Sequence, residues 1–209
     1  MTTFPPPTVA WHSPDDPTLP LVVLLHGRGA DEQSIIGLAS HLPERASYAA
    51  VRAPISEGGG YAWFANRGIG RPLPDSLAAT MARFRTWLDE VAPPTRQVIL
   101  VGFSGGAAFA GGLLLDEPSR LSGAAILYGT LPWDADLPES PGRLAGVNVF
   151  VAQGDQDAVI PAELLARTWG YLNEESGANT TSRRDPGGHG LTPQTAVALS
   201  AWLDSILSS

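Results

Sequence analysis

Ser104 stands at the centre of Gly102-Phe-Ser-Gly-Gly106, between the aliphatic run Val98-Ile-Leu-Val101 and a run of Ala and Gly. A buried strand, a sharp turn and a helix in that order hold a serine hydroxyl exposed, poised to attack a carbonyl carbon. The motif alone is weak: a chain with 23 Gly and 16 Ser shows G-x-S-x-G about 0.2 times by chance. Its partners strengthen it. Asp157 follows Val149-Phe-Val-Ala-Gln-Gly-Asp-Gln156, and His189 lies in Gly187-Gly-His-Gly-Leu191 after the polar stretch 180–184. A neutral His189 takes the Ser104 proton during attack and returns one to the leaving group. A carboxylate orients the imidazole and stabilises its charged form. Asp155, two residues before Asp157, competes for that role.

Acyl transfer also needs donors for the developing oxyanion. Two backbone N–H groups suit: Gly105, directly after the nucleophile, and Arg28, between Gly27 and Gly29 in the loop after Leu21–Leu25. The Arg28 side chain either binds a substrate carboxylate or forms a surface ion pair.

Composition removes the rivals. There is no Cys and no Lys; all 13 basic residues are Arg. Thiolate nucleophiles, disulfides, Schiff bases and a phosphate-loop lysine are therefore excluded. With four scattered His and no Cys, no metal and no cofactor are expected. A net charge of −8 argues against nucleic acid, whose phosphates need a basic face. No apolar run is long enough to span a membrane. The start, Met1-Thr-Thr-Phe-Pro-Pro-Pro7, has no basic and apolar leader pattern, so a cytoplasmic location is the expectation.

These residues need elements to carry them. Residues 1–18 read as an irregular lead-in with a short edge strand near Thr8–Trp11. Residues 19–209 read as one domain. Leu21–Leu25, Tyr48–Val51, Val98–Phe103, Ala124–Tyr128, Asn148–Ala152 and Thr180–Arg184 read as strands. Helical periodicity begins at Asp31, Asp75, the Gly105 turn, Pro161 and Pro193. Strand–helix alternation means a mostly parallel sheet covered on both faces, with ligands at the strand carboxyl ends. Ser104, Asp157 and His189 all follow strands. Residues 55–74, rich in Gly, Pro and aromatics, read as a long functional loop. Its Trp63 and Phe64 either wall the cleft or form a satellite core. Trp133, Val159 and Leu191 also follow strand ends and are candidate pocket residues. His26 is expected to brace the oxyanion loop. His12 and His41 are expected to be exposed, and Asp134, Asp136 and Asp185 to be surface charges.

Four segments together resemble the phospholipase/carboxylesterase family of small serine esterases. They are Leu25-His-Gly-Arg-Gly-Ala-Asp31, Gly102–Gly106, Gly154-Asp-Gln-Asp-Ala-Val-Ile-Pro161 and Gly188-His-Gly190. The resemblance runs from about residue 19 to the C-terminus. It implies an α/β-hydrolase fold without a large cap, and a small-molecule carboxylic ester or thioester as substrate. It matches Ser104 as nucleophile, Asp157 rather than Asp155 as acid, His189 as base, and Arg28 and Gly105 as oxyanion donors. Many relatives carry an apolar residue at the position of Arg28. Small members of the family often pair as homodimers. The expected activity is hydrolysis of small to medium acyl esters, with thioesters and lysophospholipids chemically equivalent. The alternatives are a lactone or amide hydrolase, or a non-catalytic scaffold that binds a small molecule.

Overall fold

The computed structural model describes residues 6–208; the first five residues of the expected lead-in lie outside them. In chain order the elements are β1 (Val9–Trp11), β2 (Leu21–Leu25), α1 (Glu32–Ile36), β3 (Ser47–Val51), β4 (Ile55–Glu57), β5 (Gly60–Ala62), β6 (Asn66–Gly68) and β7 (Arg71–Pro72). They continue with α2 (Pro74–Val91), β8 (Val98–Phe103), α3 (Gly105–Asp116), β9 (Gly123–Leu127), β10 (Asn148–Gly154), α4 (Ala162–Gly170), β11 (Asn179–Asp185) and α5 (Pro193–Leu207).

Seven strands form the central sheet in the order β1-β3-β2-β8-β9-β10-β11. All neighbours are parallel except the edge strand β1, which runs antiparallel to β3. Five consecutive apolar residues in β2 are fully buried because both faces are covered. The period of two divides them. Leu21, Val23 and Leu25 join the core beneath α2, α3 and α4, while Val22 and Leu24 join the core beneath α1 and α5. Each such side chain contributes about 1.5–3 kcal/mol by leaving water.

Chain order reverses at β2. The chain first steps outward to β3, then returns to build β8, β9, β10 and β11 on the other side. The crevice between the carboxyl ends of β2 and β8 is therefore the topological switch point, where such sheets bind ligands.

The segment 55–74 is more ordered than its sequence suggests. It folds into two short hairpins, β4–β5 and β6–β7. In the first, Gly58 and Gly59 both take positive φ (58° and 87°), the geometry of a tight two-residue turn. The sequence shows no period here because the paired strands, of two or three residues each, are too short to display alternation.

Candidate active site

The elbow begins with β8 and ends with α3. Ser104 caps α3 at φ 54°, ψ −114°, in the region that disfavours a side chain. Holding it there costs about 1–3 kcal/mol, and the neighbourhood must enforce it. Its N–H donates to Leu127 O at 2.9 Å. Gly106 lets the turn approach the sheet: a Cβ there would lie 2.2 Å from Leu25 O. The result directs the Ser104 hydroxyl above the switch point.

Ser104 Oγ lies 2.9 Å from His189 Nε2, and His189 Nδ1 lies 2.8 Å from Asp157 Oδ2. A carboxylate only accepts, so Nδ1–H donates to Asp157 and Nε2 is left to accept from the serine. The other Asp157 oxygen accepts from Val159 N–H at 2.9 Å and Ile160 N–H at 3.0 Å. Its side chain is 0% exposed and that of His189 is 14% exposed. Asp155 turns outward instead, 52% exposed and 3.6 Å from Arg184 Nη1.

The Arg28 amide nitrogen lies against the Cα of Gly105. A Cβ on Gly105 would sit 3.2 Å from Arg28 N. Among the described residues no backbone carbonyl accepts from either N–H. Arg28 lies in the loop after β2 and Gly105 is the first residue of α3, directly after Ser104.

The Arg28 side chain is engaged elsewhere. Its guanidinium makes a two-pronged ion pair with Glu57 of β4, with Nε 2.7 Å from Oε1, and Nη1 donates to Phe64 O at 3.0 Å. It ties the loop after β2 to the first hairpin. His26 braces the same loop from beneath: Nδ1–H donates to Gly27 O at 2.8 Å and Nε2 accepts from Ala53 N–H at 3.0 Å. The bond accepted at Nε2 needs the neutral ring, and burial pushes its pKa below the usual histidine value. Trp63 Nε1–H donates to His26 O at 2.8 Å, and its ring stacks on Phe109 at 4.4 Å.

A cleft of about 800 Å³ opens over Ser104. Trp63, Phe64, Val159 and Leu191 line it, as do Arg28, Gly105 and His189. Trp133 does not. It is buried against α4, where Nε1–H donates to Thr168 Oγ1 at 3.1 Å and the ring meets Tyr171 edge-on. A buried indole needs an acceptor, and Thr168 of α4 supplies it. Asp185 is also misplaced by sequence reasoning. It is 1% exposed, not a surface charge. His41 is exposed and lines the cleft. Cleft residues that the sequence reading missed include Leu38 of the turn after α1, and Ile69, 54% exposed at the tip of β6–β7. Only the unusual exposure of an apolar residue, visible after folding, marks Ile69. Among the described residues no three His, Asp or Glu side chains converge as metal ligands would.

A model of the phospholipase/carboxylesterase family matches residues 8–206. The chain belongs to that family. The Bacillus cereus carboxylesterase superposes with a TM-score of 0.83 at 25% identity, covering 96% of this chain and 94% of that one. The Mesorhizobium loti carboxylesterase gives 0.78 at 26% identity over 88% of each chain. Over 187 residues the chain is 28% identical to the Bacillus subtilis (strain 168) protein MhqD, named as a hydrolase, covering 87% of this chain and 91% of MhqD. The fold is thus that of the α/β hydrolases, and the chain is a member of a hydrolase and carboxylesterase family. Among the described residues no helix is long and apolar enough to cross a membrane.

Proposed function

We propose that this chain is a serine carboxylesterase that hydrolyses small to medium acyl esters through an acyl-enzyme on Ser104. The observation that carries the reading is the unbroken relay Ser104 Oγ, His189, Asp157, at 2.9 and 2.8 Å. His189 Nε2 takes the hydroxyl proton as Ser104 Oγ attacks the ester carbon. The carbonyl oxygen becomes an oxyanion beside the Arg28 and Gly105 amides, which cost no reorganisation when they stabilise it. Collapse breaks the C–O bond, and His189 gives its proton to the departing alcohol. A water then repeats the sequence on the acyl-enzyme, releasing the acid and restoring Ser104. Asp157 remains ionised and holds Nδ1–H throughout.

An apolar wall of Phe64, Ile69, Val159 and Leu191 favours a neutral acyl group, and among the described residues no large cap covers the cleft. Thioesters and lysophospholipids follow the same steps. The carboxylesterase names of the Bacillus cereus and Mesorhizobium loti proteins support oxyesters first. In this reading residues 19–209 act as one catalytic unit.

The test is hydrolysis of p-nitrophenyl butyrate by the wild type and Ser104→Ala. Ser104→Ala should lose about 10⁶-fold in kcat. A wild type that binds the ester without turning it over would establish a binding scaffold instead. Equal rates in both proteins would move the nucleophile elsewhere.

A further inference from the structure

We infer that Tyr128 and Asp185 are positioning residues for His189, joined in a buried phenol–carboxylate contact that anchors the His189 loop to the strand end beneath the nucleophile. The inference rests on the ester-hydrolase reading above. Neither residue touches the cleft, and the reaction steps use neither.

The anchor starts under Ser104. Leu127 O, the last carbonyl of β9, accepts the Ser104 N–H at 2.9 Å. The next residue, Tyr128, takes φ 47°, a conformation that a bulky side chain keeps only where its surroundings enforce it. Its N–H donates to Ala152 O of β10 at 2.8 Å. This turn sends the side chain sideways across the strand ends rather than up into the cleft. The ring is fully buried, and its hydroxyl donates to Asp185 Oδ2.

Asp185 is the last residue of β11, four before His189. Its carboxylate is fully satisfied. Thr195 of α5 donates to the same oxygen as Tyr128, and Arg183 Nε and Nη2 reach Oδ1 at 3.0 and 2.8 Å. Its backbone carbonyl accepts from Asp155 N–H at 2.8 Å, and Gly187 O accepts from Gln156 N–H at 3.0 Å. The loop carrying His189 is therefore laced to the loop carrying Asp157, directly beside the buried carboxylate. Phe103 fills the remaining space, with its ring 6.0 Å from Tyr128 and 5.4 Å from His189.

The sheet does not need this contact to hold together. Seven parallel pairs join β10 to β11, with apolar cores on the sheet's two faces. A buried carboxylate is a costly way to add stability, and its better-attested use is to specify one geometry. The geometry specified here is the distance from the Ser104 elbow to the root of the His189 loop.

The test uses the full-length chain as Tyr128→Phe, Asp185→Asn and the double variant. Each is assayed for kcat and KM on p-nitrophenyl butyrate, for the rate of Ser104 labelling by a fluorophosphonate, and for melting temperature. Misplacement of a reacting group by 1 Å can cost about a hundredfold, so a loosened but tethered loop should lower kcat about tenfold. We expect KM to stay within about twofold and the labelling rate to fall in step with kcat, because both read the His189–Ser104 geometry. The double variant should lose little more than Asp185→Asn, since both changes cut one link. Tyr128→Phe with a lowered melting temperature but unchanged kcat and labelling would overturn the inference and leave a purely stabilising network. A change in KM alone would also overturn it. If Asp185→Asn does not fold, Tyr128→Phe decides by itself. Absence of turnover by the wild type is a separate result, which refutes the hydrolase reading and this inference with it.

Discussion

Replacing Asp157 by Asn isolates what the buried carboxylate does. The side chain has no solvent contact, and its two oxygens face different partners. Oδ1 accepts from two backbone N–H groups at 2.9 and 3.0 Å; Oδ2 accepts from His189 Nδ1–H at 2.8 Å. An asparagine keeps one oxygen. Placed at Oδ1, it preserves the turn but presents an NH₂ to Nδ1. The imidazole must then accept there and carry its proton on Nε2, so it can no longer take one from Ser104. The flipped amide faces two N–H donors with an NH₂ and loses both bonds, at about 1–3 kcal/mol for each unsatisfied group. The first orientation therefore wins, the fold survives and the tautomer is wrong. The expected loss in kcat is about 10⁴-fold, or roughly 5.4 kcal/mol of transition-state stabilisation. Asp155→Asn is the control. That side chain is half exposed and pairs with Arg184 at 3.6 Å, so kcat should stay within about twofold. Both are read from p-nitrophenyl butyrate kinetics at fixed pH, with circular dichroism to verify folding. A folded Asp157→Asn protein that keeps a tenth of wild-type kcat would refute the tautomer argument. A larger loss at Asp155→Asn would reverse the assignment.

Three further outcomes follow from the same contacts. Gly106→Ala places a methyl 2.2 Å from Leu25 O, where backbone meets backbone and neither can yield, so stability should fall by about 3 kcal/mol or more in urea titration. His26 is held neutral by burial, so its folded pKa lies below its unfolded one; the unfolded chain binds more protons just below pH 6.5. Its contribution is complete above that pH and is lost progressively as pH falls from there towards the folded pKa, which urea titrations at pH 7.5 and 5.5 should show, and His26→Gln should flatten that part of the profile. Trp133→Phe removes a buried donor to Thr168 and should cost about 1–2 kcal/mol of stability, with KM for short esters unchanged; a clear rise in KM would return Trp133 to the cleft.

The strand, turn and helix around Ser104 are legible in sequence because each depends on near neighbours. The aliphatic run, the glycines that permit a close approach and the small-residue helix all lie within 98–112. The chain order of Ser104, Asp157 and His189 is equally plain, as is the lack of Cys and Lys. The layering of the fold follows from the alternation of strands and helices and from the unbroken apolar run of β2, whose residues divide between two cores.

Other features depend on contacts between residues far apart in the chain. Asp155 and Asp157 differ by two positions, and only the turn after β10 decides that one meets solvent and the other meets His189. Asp185 ends a polar strand and looks like a surface charge until Tyr128, 57 residues earlier, meets it in the interior. Trp133 follows a strand end as a cleft residue would, yet α4 supplies the acceptor its indole needs. The Arg28 side chain finds Glu57 only because the first hairpin folds over it. Periodicity records which face of an element is buried. It carries no information about which distant polar group will satisfy a buried donor or charge, and that choice belongs to the tertiary structure alone.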